Sequence, residues 1–138
     1  MPTRQKKILL VDDEAGLLKV TLLRLSKSGY DARGAASGEE GLESARRKKP
    51  DLIILDVFLP GMKGDEVAKI IKADESLKGI PVVLISAAVD VLKEKARGCG
   101  AEGYLVKPFE TNEIIGMIEK LLAPTVQGQG RNLLNSSS

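Results

Sequence analysis

Short, unbroken apolar runs alternate along the chain with longer stretches in which apolar residues recur every three or four positions. The runs are "KILLV" (Lys7–Val11), "LIILD" (Leu52–Asp56), "PVVLIS" (Pro81–Ser86) and "GYLVK" (Gly103–Lys107). They are mostly apolar and partly β-branched, a pattern that suits strands covered on both faces, as in a parallel sheet. "YDARGA" (Tyr30–Ala35) is a weaker strand, expected from its place in the alternation rather than from its composition.

The intervening stretches carry helical periodicity. Leu18, Leu22 and Leu25 share one face, and Gly29 offers a left-handed stop. Ser37 and Glu40, in "SGEE", have the spacing of a capping box. Val67, Ile70 and Ile71 follow "GDE", and Val91, Leu92 and Ala96 precede "GCG". Ile114, Ile118 and Leu121 form a stripe behind Thr111, which the pattern makes an N-cap. Strand and helix therefore alternate five times, which predicts an α/β fold with a parallel sheet and right-handed crossovers. Residues 1–123 read as one domain. From Pro124 turn-formers and serines take over, so 124–138 read as a flexible tail, a linker or an expression remnant.

Composition narrows the function. The 138 residues suffice for one core, and 43% hydrophobic with 29% charged residues is a globular balance, not a disordered one. No apolar run has the length of a membrane span, and "MPTRQKK" is not a secretory signal. The lone Cys99 excludes an internal disulfide and a cysteine-based zinc site, and a cytoplasmic protein without membrane contact is expected. A net charge of +2 and scarce aromatics give no case for direct nucleic-acid binding by this domain. The basic run "ARRKK" (Ala45–Lys49) reads as the solvated C-terminal end of a helix. The chain has no histidine, so it carries no phosphohistidine, no His-based triad and no His metal ligand.

Ligands of open parallel sheets bind beyond the carboxyl ends of the strands. There the sequence sets Asp12 and Asp13 after the first strand, Asp56 at the end of the third, Ser86 at the end of the fourth and Lys107 at the end of the fifth. Asp56 lies inside an apolar run, where a charge without a partner is strongly unfavourable. Like charges about 4 Å apart repel by about 4 kcal/mol at an effective dielectric of about 20, so three carboxylates need a cation beyond Lys107. Oxygen-only ligands favour a hard ion such as Mg²⁺. The set suits phosphoryl transfer to a carboxylate. The metal offsets charge on the transferring group, Lys107 and Ser86 bind its other oxygens, and Asp56 attacks in line.

Each residue alone has a plainer reading. Asp12 or Asp13 would cap a helix, Asp56 would open a turn, Ser86 would merely end a strand, Lys107 would lie along a turn and Tyr104 would fill core. Only the set carries the chemistry. "GCGAEG" (Gly98–Gly103) spells a dinucleotide-binding pattern, but a helix precedes it and a strand follows, the reverse of what that motif requires.

"ILLVDDE", "DLIILDVFLPGMKG", "PVVLISA" and "GAEGYLVKPF", in this order and spacing, resemble the receiver domain of bacterial two-component response regulators, of the chemotaxis-regulator-like kind, over Lys6–Leu122. The resemblance implies a flavodoxin-like (βα)5 doubly wound parallel sheet with strand order 2-1-3-4-5. It implies that Asp56 accepts a phosphoryl group from a phosphohistidine on a sensor histidine kinase or phosphotransfer protein. Mg²⁺ would be held by Asp12, Asp13, Asp56 and the backbone carbonyl of Phe58, with Asp13 the direct ligand of the acidic pair. Ser86 and Tyr104 would move as a switch, and the face of the fourth helix, fifth strand and fifth helix would dock an output partner or effector domain. A cis Lys107–Pro108 peptide is implied as well. Phe58 and Ala88 would border the phosphoryl group, and a bulky Phe58 there predicts slow self-dephosphorylation.

Other readings are a pseudo-receiver that binds partners without phosphorylation, a flavin protein and an aspartyl-phosphate phosphatase. Intact acids, Ser86 and Lys107 oppose the first. "DDE" after the first strand would repel a flavin phosphate, and Phe58 stands where such a phosphatase needs its second acid. The expected protein is a signalling switch that catalyses its own phosphorylation from a donor and its own dephosphorylation, not a metabolic enzyme. It is either a stand-alone receiver or part of a larger regulator or hybrid kinase.

Overall fold

The computed structural model describes residues 4–123, so the expected tail over 124–138 lies outside the described residues. Strands and helices alternate: β1 (Lys7–Val11), α1 (Ala15–Lys27), β2 (Asp31–Ala35), α2 (Gly38–Lys48), β3 (Leu52–Asp56), α3 (Gly64–Ala73), β4 (Val82–Ser86), α4 (Val89–Cys99), β5 (Gly103–Val106) and α5 (Thr111–Leu122). All neighbours pair in parallel, and the strand order is β2-β1-β3-β4-β5. This is the flavodoxin-like doubly wound fold.

The two-residue period of the strands sorts the core into two layers. Ile8, Leu10, Leu52, Ile54, Val83 and Ile85 pack with Leu25 of α1 and Ile114 and Ile118 of α5. The alternate residues Leu9, Val11, Ile53, Leu55, Val82 and Leu84 pack with Leu42, Val67, Ile71 and Leu92 of α2, α3 and α4. Each fully buried aliphatic side chain stabilises the fold by about 1.5–3 kcal/mol, and the central strands β1, β3 and β4 supply most of them.

The edges depart from the expectation of cover on both faces. In β5, Gly103 and Leu105 face α5, whereas Tyr104 and Val106 are exposed, because the sheet ends there. Tyr104 is therefore not core. At the opposite edge Arg33 and Gly34 of β2 are exposed, which explains why that strand was weakly apolar in sequence.

Local signals place the helix ends. Ser28 caps α1, and Gly29 follows with φ of 99°, as its position in the pattern predicts. The Ser37 hydroxyl accepts from the Glu40 N–H at 3.1 Å, while the Glu40 carboxylate reaches back to the Ala36 N–H at 2.9 Å rather than to Ser37. Arg46, Arg47 and Lys48 occupy the last turn of α2. At α5 the expected N-cap is displaced by one residue. Glu110 takes the cap position and its N–H donates to Glu113 Oε1 at 2.7 Å, leaving Thr111 as the first helical residue. The Thr111 hydroxyl instead accepts from the Arg24 guanidinium at 3.3 Å, joining α5 to α1. "GCGAEG" ends α4, turns at Gly100 (φ 81°) and enters β5, so it forms no phosphate loop. Among the described residues no helix is long and apolar enough to cross a membrane.

Candidate functional site: an acidic centre at the carboxyl rim

Register brings the predicted residues to one rim. Val11 pairs with Leu55, Asp56 with Ile85 and Ser86 with Val106, so Asp12, Asp56, Ser86 and Lys107 all stand at or just past the strand ends. The two-residue period then decides which side each takes. Asp12 continues the phase of Ile8 and Leu10, Asp56 that of Leu52 and Ile54, and Lys107 that of Leu105. Ser86 is in phase with Val82 and Leu84, which face the other layer.

Lys107 is the hub. Its ammonium donates to Asp56 Oδ2 at 2.9 Å and Glu14 Oε1 at 2.9 Å, and it forms an ion pair with Asp12 Oδ2 at 3.0 Å. Asp12 is 1% exposed, and its other oxygen accepts from the Glu14 N–H at 3.0 Å. Asp56 is 6% exposed, and its Oδ1 accepts from the Phe58 N–H at 3.2 Å. Asp13 is exposed, yet one oxygen from each of Asp12, Asp13 and Asp56 lies within 4.8 Å of the others. Behind Asp56, Gly64 lets α3 approach β3: a Cβ at this position would collide with the Asp56 carbonyl, and the Gly64 N–H donates to the Val57 carbonyl at 2.8 Å.

Ser86 is buried at the same rim, but its hydroxyl accepts from the Ala88 N–H at 3.0 Å, and among the described residues it makes no hydrogen bond to Asp56. The Phe58 ring is 49% exposed beside the acids. The Lys107–Pro108 peptide is cis. A cavity of ≈ 330 Å³ opens between α1 and α5, and Glu14 and Lys107 share its wall with Leu17, Val20, Pro108 and Phe109. Sequence reasoning did not assign a role to Glu14. Its signal was its place as the last residue of "DDE", at the N-cap of α1 and on the same rim.

Burial disfavours the charged form of Lys107, but Glu14, Asp56 and Asp12 outweigh it and hold the ammonium above its ordinary value. Burial pushes the Asp12 carboxyl upward. The Glu14 N–H and Lys107 offset part of that shift, and the Asp56 charge adds to it. The hydrogen bond to Lys107, with its charge, draws Glu14 downward. Four carboxylates thus gather around one ammonium. The donors are all oxygen, a set that fits a hard divalent cation.

A doubly wound parallel sheet with a buried aspartate, a lysine and an acidic cluster at its carboxyl rim defines a flavodoxin-like domain with an unbalanced acidic centre. A profile of the response regulator receiver domain matches residues 8–119. The DNA-binding response regulator MtrA of Mycobacterium tuberculosis (strain ATCC 25618 / H37Rv) is 34% identical over 124 residues, covering 88% of this chain and 53% of its own length. The chain therefore spans about half the length of that relative. Two solved structures share the fold. The chemotaxis response regulator CheY4 of Vibrio cholerae has a TM-score of 0.80 at 30% identity, covering 86% of this chain and 100% of that one. The receiver domain of sensor histidine kinase PA1611 from Pseudomonas aeruginosa PAO1, with a magnesium ion coordinated in its active-site cleft, has a TM-score of 0.78 at 28% identity, covering 86% and 98%. The chain belongs to the response regulator receiver domain family, the signalling modules of two-component systems.

Proposed function

We propose that Asp56 is the phosphoacceptor of this receiver domain and that Asp12, Asp13, Asp56 and the Phe58 carbonyl hold Mg²⁺. The observation that carries the reading is the convergence of three aspartate oxygens within 4.8 Å beside an ammonium 2.9 Å from Asp56. Bound there, Mg²⁺ supplies positive charge against the oxygens of the transferring group.

One Asp56 carboxylate oxygen attacks phosphorus as the P–N bond of a donor phosphohistidine breaks, and the bonding pair returns to the imidazole nitrogen. With a small acyl phosphate the P–O bond breaks instead, and the pair leaves with the carboxylate. Lys107 holds Asp56 in place and meets the phosphoryl oxygens. None of the 138 residues is a histidine, so the donor lies outside this domain: a sensor histidine kinase, a phosphotransfer protein or an acyl phosphate.

Phosphorylation exchanges the single charge of the Asp56 carboxylate for the about 1.5–2 negative charges of a phosphoryl group and sets its acceptor oxygens beside Ser86. The Ser86 hydroxyl leaves the Ala88 N–H for a phosphoryl oxygen, and Tyr104 turns inward toward the space vacated. The α4–β5–α5 face, which exposes Val89, Val91, Tyr104 and Val106, then presents a changed surface to an output partner or effector domain. Driving this equilibrium from 1:99 to 99:1 requires about 5.5 kcal/mol of preference. A cytoplasmic location is part of the same reading, supported by the family.

The test is Asp56→Asn exposed to acetyl phosphate with Mg²⁺ and read by intact mass. Wild type gains one phosphoryl group and the variant gains none. A variant labelled as fully as wild type refutes the assignment.

A further inference from the structure

We infer that Glu14 is a positioning residue that occupies, at rest, the hydrogen-bonding direction of Lys107 that an incoming phosphoryl oxygen takes. An ammonium has three protons. Three carboxylate oxygens lie within 3.0 Å of the Lys107 ammonium: Asp56 and Glu14 accept hydrogen bonds, and Asp12 stands in ion-pair contact. This inference rests on the phosphoacceptor reading, because a donor must be gripped by Lys107 while Asp56 is still a free carboxylate. One of the three arms has to leave.

The three arms are unequal. Asp12 is 1% exposed and is pinned through its second oxygen by the Glu14 N–H. Asp56 is the attacking group and is pinned through its second oxygen by the Phe58 N–H. Detaching either from Lys107 takes a counter-charge away from a buried carboxylate, which is unfavourable. The Glu14 side chain is 62% exposed, and its carboxylate exchanges Lys107 for water at little cost. Glu14 is therefore the exchangeable arm. In the resting protein it keeps the Lys107 ammonium saturated and aimed at the rim. On capture of a phosphoryl group it swings out, and its own negative charge leaves the neighbourhood of the phosphoryl oxygens.

The arrangement makes a prediction opposite in sign to that for an ordinary supporting residue, because removing Glu14 improves capture. In Glu14→Gln the concentration of acetyl phosphate giving half the limiting rate of labelling, in Mg²⁺, falls about two- to fivefold, and the limiting rate is unchanged. Binding of beryllium trifluoride, a phosphoryl mimic, followed through backbone amide resonances with Mg²⁺ present, tightens by a similar factor. The gain persists at about 1 M salt, where the Debye length is about 3 Å and long-range repulsion is screened, because the displaced contact is itself short. A gain that vanishes in salt assigns Glu14 a diffuse repulsive role and overturns the exchange. So does a variant whose half-saturation and mimic affinity are unchanged or weaker while wild type labels normally. A wild type that neither labels nor binds the mimic removes the phosphoacceptor reading, and the exchange with it.

Discussion

Two largely buried lysines, Lys72 and Lys107, stand at opposite rims of the same sheet, and their surroundings separate a balanced brace from an unbalanced acidic centre. Lys72, at the amino rim, donates to one carboxylate, Glu102 Oε2 at 2.7 Å, and to the carbonyls of Ile80 at 2.8 Å and Lys78 at 3.2 Å. Glu102 is itself satisfied, accepting from the Val82 N–H at 2.7 Å. The charges cancel one for one, and the cluster ties the end of α3 to the starts of β4 and β5. Lys107, at the carboxyl rim, faces Asp12, Glu14 and Asp56, with Asp13 close by. Here the charges do not cancel. The same residue types stabilise where their numbers balance and leave uncompensated negative charge where they do not.

Removing each lysine sharpens that contrast. Lys107→Ala leaves Asp12 and Asp56 buried without their ammonium, and we expect a loss of about 3–5 kcal/mol in urea unfolding without divalent ions. Mg²⁺ restores part of it, since a ligand that binds only the folded state raises stability. Lys72→Ala orphans carbonyls and one partly exposed carboxylate, for about 1–3 kcal/mol, and Mg²⁺ restores none of it. Equal recovery of the two variants would erase the distinction between the rims.

The carboxyl rim makes a kinetic prediction as well. Phe58 is half-exposed two residues beyond Asp56, and its ring is expected to hinder a water attacking the phosphorylated carboxylate. Phe58→Ser should shorten the life of the phosphorylated protein several-fold, on the order of 1 kcal/mol in the barrier, measured by loss of labelled protein after donor removal. An unchanged or longer lifetime contradicts that role.

The smallest effect belongs to the amino rim. Asp51 is partly buried, which by itself would raise its carboxyl, but Arg4, the Lys7 N–H and Lys6 together hold it below the ordinary value. A depressed carboxylate contributes stability above its unfolded value and loses it as pH falls through the folded one. Asp51→Asn should therefore cost about 1 kcal/mol near neutrality, and the two proteins should converge only on acidification below the ordinary carboxylate range. A constant difference across that titration would show that Asp51 acts through something other than its charge.

Much of this was legible in the sequence. The four apolar runs located the central strands, and the polar residues closing them located Asp12, Asp56, Ser86 and Lys107 on one rim, because a parallel sheet carries every strand's end to the same side. Gly29 and "SGEE" marked helix ends because those signals are local. What the sequence hid was long-range or one-sided. Glu14 reaches Lys107 across 93 positions of chain through an exposed side chain that no periodicity constrains. The Lys72–Glu102 brace joins a helix end to a loop with no pattern linking them. Thr111 looked like the better cap, yet Glu113 selected Glu110 by reaching back to its N–H. The apolar content of β5 concealed that Tyr104 and Val106 would be exposed, and nothing local to Ser86 announced that its hydroxyl would turn to Ala88.

The central claim is that the acids of β1 and β3 share one divalent ion. A Mg²⁺ titration of the whole chain, followed through backbone amides, tests it most directly. We expect saturation at a single site, the largest shifts at Asp12, Asp13 and Asp56 through Phe58, and loss of that saturation in Asp13→Asn. No saturable binding, or shifts centred on Asp31 and Asp51 at the opposite rim, would contradict it.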